Sequence, residues 1–335
     1  MRSKETIRSV GTVLAAVALT AGLTGTAVAA PADAPCTWQV TPVAGPPGIP
    51  ASEFTVTGSN AQGGYSGYRR ANVDDAEFFR WVNGFAVRQP AAPGVTGAQP
   101  VDENNGGTVV LRGKDAQGER VLLTHSPADG YRVLPLPAGA KLQESAAVND
   151  GGDVVAAIWQ NGKDFVLLWR AGASTPEVIT PPGTGVPILV DIDEDGTVLL
   201  SGGRSNVHVW RAGVFTAMPG STDAMARSLN NGRVVGLRFN GQNPITAWQW
   251  ELSTGVVSQP LRGGAANGIN RLNLIGGQLD NLDGPPAVWR GTRLLAELPL
   301  PPGATGGRVN VVGDDGVVHG KASTQPSIPV RWHCS

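Results

Sequence analysis

Val207-His-Val-Trp-Arg211 is one of six short apolar runs that end on tryptophan, three of them followed by arginine. The tryptophans are Trp81, Trp169, Trp210, Trp250, Trp289 and Trp332, separated by 88, 41, 40, 39 and 43 residues. The first gap is about twice the others. Its midpoint falls on His125, at the end of Val121-Leu-Leu-Thr-His, which makes a seventh copy with the tryptophan replaced. A period near 40 residues built of short strands predicts a β-propeller with one four-stranded blade per repeat. The expected fold is all-β, with seven blades and no helical domain.

The fourth copy shows how a blade is laid out. Ile188 to Asp191 reads as strand a, Thr197 to Ser201 as b, Val207 to Arg211 as c and Val214 to Met218 as d. Asp193-Glu-Asp-Gly196 turns a into b. Asn149-Asp-Gly and Asn230-Asn-Gly occupy the same slot in sibling copies and supply the positive φ of tight hairpins. Alternation along strand c puts each Trp toward a neighbouring blade and the following Arg toward solvent.

The chain ends bear on ring closure. The last copy reaches strand c at Pro329 to Cys334 and stops without a strand d. Cys36 to Val43, followed by Pro46-Pro-Gly48, has the form of the missing strand. The N-terminal strand therefore completes the last blade and brings Cys36 beside Cys334, the only two cysteines. In an exported chain these form a disulfide. Closing a loop of nearly 300 residues is worth on the order of 5 kcal/mol in the chain-entropy treatment.

Residues 1–29 read as a secretory signal peptide. Arg2, Lys4 and Arg8 start it, Val10 to Leu23 is apolar, and Ala27-Val-Ala29 offers a cleavage site. Residues 30–335 form one propeller domain, secreted and expected to be monomeric. The net charge is −1 over the whole chain, which leaves no electrostatic footprint for nucleic acid or a membrane surface.

Ala226-Arg-Ser-Leu-Asn-Asn-Gly-Arg-Val-Val-Gly236, with Ala-Val-Trp-Arg in strand c, resembles the HAF-type extracellular repeat. That repeat follows an A-x-x-I-N-x-x-G-x-V-V-G pattern and is common in exported bacterial proteins. Copies three to six carry it, whereas copy one (Tyr65-Ser-Gly-Tyr68) and copy two (His125) depart from it. The resemblance implies an extracellular repeat protein and brings no catalytic residues.

No catalytic motif stands out. Asp191, Asp193 and Asp195 alternate as calcium-loop ligands do, but Leu199 and Gly202 stand where completing ligands would be. Turn chemistry explains the run better than a weak calcium site, and no other cofactor is expected. The candidate ligand contacts are Tyr65, Tyr68, Arg69 and Arg70, in the most divergent copy, with Asp102, Asp191 and Arg227 on strands a. Those strand-a residues, together with Asn267, should line or approach the central channel. Its ligand mouth is expected where strands d lead to a and b to c. The favoured function is a non-enzymatic binding or scaffold module recognising an extracellular protein or glycan. The alternative is a hydrolase or lyase with a histidine and carboxylates at a channel mouth.

Overall fold

The computed structural model describes residues 36–72, 75–182, 188–201, 207–239, 241, 245–252 and 257–335. The predicted signal peptide lies outside them. The chain divides into Met1–Cys36 and Thr37–Ser335, and the second unit carries all the described strands.

Seven four-stranded antiparallel sheets follow one another along the chain. The fourth blade runs Ile188–Ile192, Val198–Ser201, Val207–Arg211 and Val214–Ala217, within one residue of the sequence-based layout at every edge. Only the last blade is built from both ends of the unit. Trp38–Pro42 pairs with Ile328–Cys334 in the register Trp38↔Cys334 to Pro42↔Val330. The N-terminal segment is thus strand d of blade seven. Cys36 and Cys334 are joined in a disulfide across this closure.

The core lies between blades, not within them. Trp210 packs with Val155 and Val166 of blade three. Trp250 packs on Leu199 and Val209 of blade four, and Trp332 on Leu274 and Val288 of blade six. Each strand-c tryptophan therefore plugs the seam toward the preceding blade, and all six are at most 3% exposed. An indole buries about 200 Å², worth about 5 kcal/mol at 25 cal/mol per Å². Four indole N–H groups also tie down the linker that enters their own blade, donating to the carbonyls of Ala44, Pro219, Arg262 and Pro299. Arg170, Arg211 and Arg290, one residue on, face solvent as alternation requires. His125 fills its tryptophan slot between Phe78 and Tyr131, with ring centroids 5.4 and 4.6 Å away.

Every innermost strand carries a break in register. The shifts fall between Val56 and Gly58, Pro100 and Asp102, Leu142 and Ala146, Leu189 and Asp191, Ala226 and Ser228, Ala266 and Gly268, and Val309 and Val311. In six blades a single residue is skipped, which is a β-bulge. The glycine of the Val-Val-Gly motif accommodates it. Gly236 pairs with Ala226 just before the bulge, and a Cβ at Gly236 would lie 2.1 Å from the Met225 carbonyl oxygen. Gly67, Gly277 and Gly320 hold the same place in blades one, six and seven.

Candidate functional site

The bulges decide what faces the channel. A bulge turns its extra residue away from the ladder. The six skipped residues, Thr57, Val101, Val190, Arg227, Asn267 and Asn310, all line one cavity of about 270 Å³ on the ring axis. The cavity runs from the bulges to the a–b hairpins, as Val101–Asn105 and Val190–Ile192 show. This corrects the expectation that the ligand mouth faces the d–a and b–c loops. Asn104, Asn105, Asp150 and Glu194 of the a–b hairpins line it, so the space lies at the a–b end.

Asp102, Asp191, Arg227 and Asn267 line this cavity, where the sequence placed them. Asp102 and Asp191 occupy equivalent positions one residue past the bulge and hold the blades together. Asp102 accepts hydrogen bonds from the backbone N–H of Glu103 and, in the next blade, Val148, both at 2.9 Å. Asp191 accepts from Ile192 N–H at 2.9 Å, then from Leu229 N–H at 2.9 Å and Ser228 Oγ at 3.1 Å in blade five. Burial, and then the Asp191 charge, push the Asp102 carboxyl well above the usual carboxylate range. Burial raises Asp191 to about 6 against its hydrogen bonds. Two acids thus face a common enclosed space with every carboxylate oxygen engaged.

A second ring of contacts surrounds the mouth. Asn104 donates from Nδ2 to the Asn149 carbonyl of the next blade at 2.8 Å, and Asn149 donates to the Asp193 carbonyl at 3.0 Å. Asn270 donates to the Gly313 carbonyl at 2.8 Å. The Oδ1 atoms of the same residues accept Thr108, Asp153 and Leu274 N–H, which caps their own hairpins. Sequence reasoning saw these residues only as turn formers. Their return at one place in copy after copy is the signal that could have revealed the inter-blade latch.

The aspartates of the calcium-like run are engaged in the same way. Asp193 accepts N–H groups of Glu194, Asn231 and Gly232, and Asp195 accepts Thr197 N–H and pairs with Arg211 at 2.8 Å. No group of three or more His, Cys, Asp or Glu side chains able to hold a metal occurs among the described residues.

Arg227 differs from every other charge in the cavity. It makes no hydrogen bond or ion pair among the described residues, and its Nε is fully buried without an acceptor. Burial, and then the charge of Arg308, hold its guanidinium below the ordinary arginine range.

The divergent residues of the first copy do not contribute. Tyr65 is 3% exposed, stacked on Trp81 with centroids 5.0 Å apart and set 4.6 Å from His319 of blade seven. It is core at the closing seam, and burial raises its hydroxyl to about 12. This corrects its reading as a ligand contact. Arg69 is held by Glu53 at 2.6 Å and Glu77 at 3.2 Å, while Arg70 lies over the Tyr68 ring at 5.8 Å. None of these four lines the cavity. The four histidines are also elsewhere: His125 and His319 are buried in packing, and His208 and His333 lie on strands c.

No protein-family model matches the chain, and no curated sequence does. Solved structures of similar fold include a streptogramin B lyase (11% identity, TM-score 0.59), which matches over 89% of this chain and 98% of its own. Virginiamycin B lyase from Staphylococcus aureus, solved with quinupristin as a catalytically inactive histidine-to-alanine variant, is similar at 10% identity and TM-score 0.58, over 89% and 99%. The β-propeller domain of the Trilobed protease from Pyrococcus furiosus, which has an open velcro topology, reaches TM-score 0.62 at 10% identity, over 84% and 96%. In contrast to that open ring, the present one is closed by its N-terminal strand. Identities this low establish one thing, the propeller fold.

Proposed function

We propose that this chain is an exported, non-enzymatic propeller that binds an extracellular protein or glycan through the cavity at the a–b end of its channel. One observation carries the reading. Asp102 and Asp191, the two carboxylates next to the bulges, are consumed by backbone amides and a serine hydroxyl; Glu194 at the hairpin end, raised by burial to about 7, accepts the Asp150 N–H; and Arg227 is left without a protein partner among the described residues. A general acid or base needs a free oxygen within reach of substrate. A binding site needs unspent donors in a concave space.

The lyase alternative draws on propellers of similar fold, one of which loses its activity with a histidine. No histidine lines the cavity here. The basic and apolar N-terminus, the disulfide and the resemblance to HAF-type repeats support a place outside the cell. No helix among the described residues is long and apolar enough to cross a membrane.

A screen against glycans and extracellular proteins, run with wild type and Asn310→Trp, tests the reading. The expected ligand binds wild type and is lost when the indole fills the cavity. Turnover of any screened compound that vanishes in Asp102→Asn or Asp191→Asn would instead support the enzyme.

A further inference from the structure

We propose that the cavity takes the oxyanion of a small ligand, a carboxylate, sulfate or phosphate, on Arg227, with the Asn310 amide beside it and Arg308 on its outer side. This rests on the channel being a ligand site, as above, and names the chemistry of what it holds.

The bulge ring supplies the argument. Its single skipped residues are threonine in blade one, valine in blades two and four, arginine in blade five, and asparagine in blades six and seven. Five are neutral. The repeat therefore builds this position without a charge, and the arginine is an addition to the scaffold. Desolvating a guanidinium is costly unless an anion compensates it. No carboxylate among the described residues pairs with it. The carboxylates of Asp102 and Asp191 are turned to backbone amides, and the one charge that acts on Arg227 is that of Arg308, of the same sign.

Six carboxylates, those of Asp102, Glu103, Asp150, Asp191, Glu194 and Asp314, also line the cavity, yet none pairs with Arg227. Asn310 lines the same wall with no side-chain hydrogen bond among the described residues. Asn267 between them is anchored by its Nδ2 to Gln278 Oε1 and the Val309 carbonyl, at 2.8 and 2.9 Å. Blades five and six bring no carboxylate to the wall, and Asp150, Glu194 and Asp314 sit in the a–b hairpins, past the bulges that carry Arg227 and Asn310. An anion is thereby directed to the bulge level between Arg227 and Asn310. A planar guanidinium with a neighbouring amide matches the fork of an oxyanion. Opposite, Val101, Ala146 and Val190 form an apolar arc that suits the ligand's carbon body. At about 270 Å³ the space admits one small acid or the acidic end of a longer chain.

Arg227→Val copies the residue that blades two and four already use, so the scaffold tolerates it. Arg227→Gln is the fallback variant. Titration calorimetry with glucuronate, glucose, sulfate and phosphate is the test, comparing wild type with Arg227→Val and Arg308→Gln. Wild type is expected to bind glucuronate or an inorganic oxyanion, and not glucose. Arg227→Val is expected to weaken that binding at least tenfold, and Arg308→Gln less. Glucuronate without sulfate or phosphate identifies a sugar acid, and the reverse identifies a sulfate or phosphate ester. Without ligand, Arg227→Val should melt higher than wild type, because it removes an uncompensated charge. Equal anion affinity in wild type and Arg227→Val, or a lower unliganded melting temperature of the variant, overturns the site. A neutral ligand lost in Asn310→Trp but untouched by Arg227→Val overturns the oxyanion while leaving the binding module in place.

Discussion

Replacing Asn149 by alanine should loosen the seam between blades three and four by about 2–4 kcal/mol. The side chain is 3% exposed and makes two hydrogen bonds: Nδ2 to the Asp193 carbonyl at 3.0 Å, and Oδ1 from the Asp153 N–H at 2.8 Å. A buried hydrogen bond contributes about 0.5–1.5 kcal/mol net, and a donor left without a partner costs about 1–3 kcal/mol. The Asp193 carbonyl keeps the Gly196 N–H, so the orphaned group is the Asp153 N–H. Asn149→Asp separates the two roles. It retains the hairpin cap but sets a carboxylate oxygen against the Asp193 carbonyl. At pH 7 it should therefore be at least as unstable as the alanine variant. It should recover as pH falls, because its folded-state carboxyl titrates above the unfolded one. Asn231→Gly, which loses an exposed contact of 3.4 Å to the Arg271 carbonyl and suits the left-handed φ of 49° at this position, should stay within about 0.5 kcal/mol of wild type. Denaturant melts followed by tryptophan fluorescence report all three. The latch would be refuted by an Asn149→Ala within 0.5 kcal/mol of wild type, or by an Asn149→Asp as stable as wild type at pH 7.

Three further outcomes follow from the seams. Arg80 and Glu103 form a buried ion pair of 2.8 Å between blades one and two, so Arg80→Met or Glu103→Leu alone should cost about 3–5 kcal/mol, while the double variant recovers most of it in a double-mutant cycle. Burial, and then Arg331, lower His319 to about 3 from the ordinary 6.5, so the unfolded chain binds the extra proton between those values. Relative to His319→Phe, wild type should lose about 1.4 kcal/mol per pH unit as pH falls from 6.5 toward 3, whereas a flat difference would show that His319 is protonated in the fold. Cys36→Ser with Cys334→Ser should destabilise the protein by up to about 5 kcal/mol, and reductant should do the same to wild type alone.

The outer architecture was legible because its signals are covalent or periodic. Tryptophan spacing located strands c, and the only two cysteines located the closure, as Trp38↔Cys334 shows. The channel was only partly legible. Asp102, Asp191, Arg227 and Asn267 were placed on its wall from their positions on strands a. Which of them faces inward without a partner depends on the bulge, and a bulge is a property of strand pairing that leaves no period in the sequence. The cavity's end was misread for the same reason. Tyr65 misled because departure from a repeat looks like function. Here the departure fills the seam between Trp81 and His319, the latter standing where blade five has Val235. The asparagines of the a–b turns were read locally, yet their amides work on the neighbouring blade.

A crystal grown with sodium selenate tests the ligand cavity most directly, because selenium marks the oxyanion by anomalous scattering. The expected result is one channel peak within hydrogen-bond distance of the Arg227 guanidinium, absent in Arg227→Val. A channel without selenate, with Arg227 paired instead to a protein carboxylate, would contradict it.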